Sequence, residues 1–375
     1  MGASILYNLA ARGVKNPILL EKTTIGAGST GRSSGAIRMH YSTQVNALLA
    51  HKSLEVFANF NDVVGGDVGF ITTGYMVFAP KEASEAFFEN IAMQQSIGID
   101  TQIISREEAK NLGPSFYIGE DEYFAWETGS GHADPSATAS AYITEARSMG
   151  AEIFLETNVL GLVVKGNKVR SVYTDSEHFE APLVVIATGP WSGQFLLKLG
   201  VDLPLAPTRH EVFLLKRDVD SIPSHPGGGD MANLIYFRPE GSDLTLVGNG
   251  NHEENANPDS YNPRYTLSYA QDVWQRLSKR MPGISEAELF TGYSGLYTTT
   301  PDLHPIIDKV NGIDGLFLCS GFSGHGFKLS PAVGSVVSEL MLDGEATTVN
   351  IDPLRMNRFS DGDLNQTKYT FKVIA

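Results

Sequence analysis

Apolar residues recur along this chain at two periods, and the places where the period changes mark its elements. Ala3, Ile5, Leu6, Leu9 and Ala10 follow helical spacing as far as Gly13, and residues 17–20 then form an apolar run that reads as a buried strand ending in Glu21. Helices are expected over 45–60, 81–96 and 265–280, and Ser105-Arg106-Glu107-Glu108 has the form of a capping box opening another. Asp134-Pro135 supplies an N-cap and a first-position proline for a helix running to Gly150. Strands are expected at 152–155, 160–164 and 169–174, with a turn at Gly166-Asn167. Residues 69–79 read as a strand pair around Gly74, and 183–187, Leu-Val-Val-Ile-Ala, as a fully buried strand. From 205 to 297 the pattern alternates, with strands at 210–215, 234–237, 244–247 and 293–297; this predicts an antiparallel sheet inserted into the first domain, to which 304–308 return the chain.

The most informative stretch is 315–334. A short apolar strand, Leu316-Phe317-Leu318, runs into a turn holding Gly321, Gly324 and Gly326, and a helix begins near Phe327 with Pro331 in its first turn. Ala332, Val333, Val336, Val337, Leu340 and Met341 continue at helical spacing, and Gly344 supplies the stop. A helix start exposes unsatisfied N–H groups and partial positive charge, which suits an anion or an electron-rich ring edge. Lys328 stands in that first turn, where a cation opposes the helix dipole. It faces either water or a bound anion, and the surrounding glycines and aromatics favour the anion.

The first helix and strand look like the back half of a dinucleotide-binding unit. Gly2 stands where a third fingerprint glycine would be, and Glu21 where a carboxylate takes a ribose hydroxyl. The opening strand and the first two glycines are absent, and the expectation is a start placed too far downstream. Residues 26–41 form a Gly/Ser-rich loop carrying Arg32 and Arg38, of the kind that lies against a ligand. Thr188-Gly189-Pro190 is a tight turn positioned to approach a nucleotide.

Composition narrows the class. A chain of 375 residues with 42% hydrophobic content is long enough for two domains, and a formal charge of −15 argues against a nucleic-acid surface. The single cysteine, Cys319, excludes an internal disulfide, reads as a core thiol and fits a reducing, cytoplasmic location. There is no apolar run of membrane-spanning length, no secretory signal, no histidine spacing suited to a metal and no internal repeat. Residues after 352 are polar and read as a surface tail.

Glu21, the loop to Tyr41, Ala187-Thr188-Gly189, Gly295-Leu296-Tyr297, His304-Pro305-Ile306-Ile307-Asp308 and above all Gly321-Phe322-Ser323-Gly324-His325-Gly326-Phe327-Lys328 carry a resemblance over nearly the whole chain. The chain resembles the FAD-dependent amine oxidoreductases of the D-amino acid oxidase and sarcosine oxidase superfamily. The nearest branch holds the sarcosine oxidase beta subunit, dimethylglycine dehydrogenase and the proline dehydrogenase beta subunit. The fold this implies is α/β, a Rossmann-like FAD-binding domain lacking its first strand (1–69, 135–204 and 300–375) with an inserted antiparallel-sheet substrate domain (70–134 and 205–299).

The resemblance implies roles as well. Glu21 would hold the adenosine ribose, Gly2 the helix at the pyrophosphate, and Ser29, Thr30, Arg32 and Ser33 the pyrophosphate and flavin side of the loop. Val159 would meet the adenine through its backbone, with Ala187 and Gly189 packing near the nucleotide. Gly324, His325, Gly326 and Phe327 would offer backbone N–H groups to the flavin's pyrimidine edge. Arg38 and Lys328 would grip a substrate carboxylate, and Tyr236, Tyr297, His40 and His304 are polar candidates for work on the amine, which must be uncharged to release hydride. The family's covalent attachment points are a cysteine at the place of Gly295 or a histidine at that of Arg32, so FAD is expected to be noncovalent. Leu246 stands where the monomeric oxidases carry an oxygen-activating lysine, which favours a dehydrogenase. The implied reaction is oxidation of sarcosine, dimethylglycine or proline to an imine. The alternatives are glycine, D-amino-acid or hydroxy-acid oxidation on the same fold, or a non-catalytic or apo subunit. A separate electron acceptor or second subunit is the expected partner.

Overall fold

A computed structural model describes residues 1–250, 254–367 and 369. Its centre is a pair of helices, Gly2–Ala11 and Gly326–Leu342, that pack in parallel. Ser4 Oγ donates to the Ser330 carbonyl at 2.8 Å and Ser335 Oγ to Asn8 Oδ1 at 3.1 Å. Gly334 makes the crossing possible: a Cβ there would stand 2.1 Å from Ser4 Oγ and 2.8 Å from its carbonyl oxygen. Ile5, Leu9, Val333 and Val337 meet Leu49 of Gln44–Ala58 and Phe317 of Leu316–Ser320 in the largest apolar cluster. Cys319 lies in the same core, where burial pushes its thiol up to about 12.

Local signals behave as their chemistry requires. Ser105 and Glu108 form both bonds of the capping box, and Asp134 caps Pro135–Ser148 by accepting from Ser136 and Ala137 at 2.7 and 3.0 Å. Gly166 and Asn167 take the positive φ values, 55° and 59°, that a two-residue hairpin demands.

Pairings between distant segments depart from the expectations. The parallel strands lie in two separate pieces: Ile18–Leu20 pairs with Glu152–Phe154, and Val184–Ile186 pairs with Leu316–Ser320, itself beside antiparallel Ile306–Lys309. Residues 17–20, expected as a buried strand, and 183–187, expected as a fully buried one, each keep a side that no described strand covers; Ile18 is 40% and Leu183 37% exposed. Residues 69–79 are not a hairpin. Ile71–Thr72 pairs with Gly131–His132 and Tyr75–Pro80 with Glu122–Glu127, because Gly74, at φ 71°, turns the chain between two sheets.

The second sheet has eight strands, all drawn from 75–127 and 206–299. It is mixed rather than wholly antiparallel: Gly227–Asp230 runs parallel to Tyr75–Pro80, at the seam where the two inserted segments meet. Helix Leu267–Arg280 packs on one face over Phe78, Phe213, Phe237 and Val247. Alternation turns Tyr75, Val212, Tyr236 and Leu246 to the other face. The stretch after 352 is also more than a surface tail. Arg358 is buried on Asp302 at 2.8 Å, and Tyr369 Oη lies 2.7 Å from His40 Nε2; residues 368 and 370–375 of that stretch lie outside the described residues.

Candidate functional site

Because the two central helices are parallel, their positive ends open on the same side. The Met1 side chain reaches 3.5 Å from where a Cβ on Gly326 would be, and neither first turn contains an acidic residue. A Cβ on Gly2, by contrast, would meet only ordinary contacts, with Leu19 at 3.6 Å and Ala187 at 4.0 Å. Two parallel dipoles ending together are unfavourable until an anion sits at their starts.

The expected cofactor residues are spread over several elements. Glu21 ends Ile18–Leu20, and its Oε1 accepts from the Thr23 N–H at 2.9 Å. The loop that follows is pinned to the long edge strand Glu288–Thr299. Ser29 Oγ donates to the Leu296 carbonyl at 2.7 Å, Arg32 Nη1 to that of Ser294 at 3.0 Å, and Tyr293 Oη to that of Ser33 at 3.3 Å. Arg32 is thereby engaged with the sheet, and Thr30 opens the single 3-10 turn that carries it. Val159 begins the strand Val159–Lys165, paired with Thr174. Gly189, at φ 51°, closes the turn after Val184–Ile186, and its carbonyl accepts from Ser320 Oγ at 3.4 Å.

At the start of the last helix the N–H of His325 is already taken by the Phe322 carbonyl at 2.8 Å, so His325 does not join the expected row of donors. The groups without an intrahelical partner are those of Gly326, Phe327 and Lys328. The Phe327 ring itself packs on Phe57 at 5.3 Å, within a core cluster. Gly324 holds the turn against the sheet: a Cβ there would lie 2.6 Å from the Tyr297 ring. Tyr297 in turn shares a hydrogen bond with Tyr236, whose hydroxyl lies over the notch left by Gly248. Burial raises both phenols, Tyr236 far above its ordinary value, so both are neutral donors and acceptors rather than bases. These features fit an extended, anionic, aromatic cofactor such as FAD.

Arg38 and Lys328 come together beside this cradle. Arg38 is 2% and Lys328 5% exposed. The Arg38 guanidinium donates to the His40 carbonyl and lies over the rings of Tyr41 and Tyr75, at 4.8 and 6.0 Å. Lys328 makes no hydrogen bond or ion pair among the described residues. Burial, and then the charge on Arg38, hold its ammonium well below the ordinary lysine value.

Sequence reasoning missed Glu127. It is fully buried at the end of Glu122–Glu127, accepting from the Met39 N–H at 2.9 Å and Ser130 Oγ at 2.6 Å, while Oε1 has no hydrogen-bond partner among the described residues. Burial raises its carboxyl, and Arg38 pulls the other way. The available signal was weak, a lone glutamate on the inward phase of a strand. His40 is pushed down to about 3 by burial and by Arg38, and stays neutral. His304 is placed elsewhere: it bonds Thr43 Oγ1 at 3.0 Å within the buried Asp302–Arg358 cluster, a structural position. Among the described residues no cluster of His, Cys, Asp or Glu could hold a metal, and no helix is long and apolar enough to cross a membrane.

Comparison with known proteins supplies the context. The family model described as FAD dependent oxidoreductase matches residues 1–340. FAD-dependent oxidoreductase domain-containing protein 1 of Bos taurus is 26% identical, covering 98% of this chain and 84% of its own length. Monomeric sarcosine oxidase of Bacillus sp. is 28% identical, covering 96% and 93%. Among solved structures, L-proline dehydrogenase from P. horikoshii superposes with a TM-score of 0.89 at 27% identity, over 97% of this chain and 96% of that one.

Proposed function

Because this chain belongs to the FAD dependent oxidoreductase family, we propose that it oxidises the C–N bond of a small amino acid bearing a secondary or tertiary amine, of the sarcosine, dimethylglycine or proline type. The observation that carries this reading is the buried pair Arg38 and Lys328 beside the start of Gly326–Leu342. Two basic side chains buried together, one of them without an anionic partner among the described residues, can both be charged only beside an anion, and a substrate carboxylate supplies it. The substrate classes in the names of the sarcosine oxidase and proline dehydrogenase relatives agree with it.

FAD, when bound, supplies the two-electron acceptor. The chain's own part is placement and electrostatics. Arg38 grips the carboxylate bidentately and Lys328 adds a point charge. The N–H groups of Gly326, Phe327 and Lys328 would hold an electron-rich edge of the cofactor and stabilise negative charge there. Tyr236 and Tyr297, neutral and linked, offer a polar contact on the sheet side. Leu246, packed with Val212 and Tyr236, puts an aliphatic side chain rather than a cation on that side, which favours a separate electron acceptor over oxygen.

Attachment of FAD is noncovalent in this reading. A Cβ on Gly295 would lie 2.9 Å from the Arg32 Cβ, so no thiol fits there without moving the loop.

The test is spectroscopic. Protein purified with FAD should show the two visible flavin bands, release the chromophore on acid precipitation, and bleach anaerobically with sarcosine, dimethylglycine or proline. A colourless protein that cannot take up added FAD, or bleaching by only glycine, D-alanine or a hydroxy acid, would refute the proposal.

A further inference from the structure

An amino acid reaches such a site as a zwitterion, yet its nitrogen must be neutral before the adjacent C–H can leave as hydride, so some group must take a proton. We propose that Lys328, resting as a neutral amine, accepts the proton of the substrate ammonium and, now charged, becomes the counter-ion of that same substrate's carboxylate. The proposal rests on the carboxylate-clamp reading above. One N–H bond breaks on the substrate and one forms at Nζ; the substrate nitrogen keeps its lone pair, and total charge is unchanged.

Geometry favours Lys328 over its neighbours. It is buried in the first turn of a 17-residue helix, where the dipole disfavours a cation, and the charge on Arg38 acts on it as well. An ammonium there without an anion is unfavourable twice over, and a carboxylate removes both objections on arrival. The other titratable groups are less suited. His40, on the same segment as Arg38, is pushed down to about 3, and the Tyr75 phenol of the facing sheet is pushed up to about 12. Tyr41 is raised by burial, as is Tyr369 from the C-terminal segment. His325, one turn back, is paired with Tyr41 Oη at 3.2 Å. Glu127 of Glu122–Glu127 already accepts two hydrogen bonds and is the carboxylate that acts on Arg38; protonating it would remove that compensation.

Calorimetry of the FAD-loaded protein with methoxyacetate, a sarcosine isostere lacking an ionisable nitrogen, tests this directly. Binding near neutral pH, compared in phosphate and Tris buffers, should take up about one proton per site. Uptake should vanish in Lys328→Met and persist in Glu127→Gln. Lys328→Arg should bind methoxyacetate without uptake, and its rate of flavin reduction by the substrate should fall at neutral pH and recover only in alkali, where the ammonium loses its proton to water.

Binding without proton uptake in the wild-type protein overturns the proton transfer and leaves the clamp standing. Uptake lost in Glu127→Gln but kept in Lys328→Met, or a wild-type pH profile in Lys328→Arg, also overturns it. Failure of both methoxyacetate and sarcosine to bind removes the clamp, and the proton transfer with it.

Discussion

Arg280 and Lys328 are both buried basic residues, and the chain treats them in opposite ways. Arg280 lies 4.0 Å over the Phe78 ring on the helix-covered face of the large sheet. Its Nε meets Asp230 at 2.7 Å, Glu122 accepts from both of its terminal nitrogens, and the Tyr117 carbonyl takes another bond. Each of its three nitrogens is answered by the chain itself. Lys328, in the first turn of Gly326–Leu342, is also buried and has no anionic partner among the described residues. Desolvating a charge is costly in either place, so the difference marks purpose: a saturated cation holds structure together, and an unanswered one waits for a partner that arrives from solution.

The largest effect should come from breaking the saturated side. Arg280→Met leaves buried Asp230 and partly buried Glu122 without their shared cation, and stability in chemical denaturation should fall by about 3–5 kcal/mol. Arg38→Ala should act on the other side: methoxyacetate affinity should fall by about 2–5 kcal/mol in calorimetry, with the visible flavin spectrum retained. An Arg38→Ala protein with unchanged affinity would erase the contrast between the two cations.

Lys328→Met sharpens the contrast through pH. The folded-state value of Lys328 is depressed, so its neutral form is the one compatible with the fold. The stability that goes with it is present above the unfolded lysine value, near 10.4, and is lost as pH falls toward the lowered folded value. Replacing it with methionine removes that slope. The variant should therefore gain on the wild type steadily from alkaline toward neutral pH in thermal melts of the ligand-free protein, while binding methoxyacetate more weakly. Arg280→Met should show no such trade.

How much of this was legible in the sequence follows the range of the interactions involved. The capping box at Ser105, the Asp134 cap and the glycine turn before the last helix depend on residues a few positions apart, and each could be read locally. Arg38 and Lys328 were legible because a charge among glycines and aromatics is out of place. Glu127 was not: it becomes a neighbour of Arg38 only when Tyr75–Pro80 pairs with Glu122–Glu127 and Met39 donates to its carboxylate, contacts that no local pattern encodes. Gly227–Asp230 escaped for a related reason. Three glycines carry no strand propensity, and the segment is extended because its neighbours impose it: a Cβ on Gly228 would strike the Phe237 ring at 2.4 Å. The His325 N–H was assigned to the cofactor because the turn was read as open, whereas its own 322–325 bond closes it.

Glu127 gives the smallest and most discriminating prediction, because it decides whether Arg38 belongs with Arg280 or with Lys328. Its carboxyl is raised by burial, so the protonated form suits the fold; the corresponding stability is present below the ordinary glutamate value and is lost as pH climbs through the raised one. Glu127→Gln keeps the acceptor for the Met39 N–H and removes the charge. If Arg38 is only half-answered by Glu127, the variant should differ in stability by about 1 kcal/mol or less at neutral pH, be less sensitive to alkali, and bind methoxyacetate more tightly, since one competing negative charge is gone. If instead Glu127 saturates Arg38 as Asp230 saturates Arg280, the variant should lose several times that stability, approaching the cost of breaking a buried pair, and should gain no affinity. Paired denaturation and calorimetry on this one substitution therefore place Arg38 on one side of the comparison or the other.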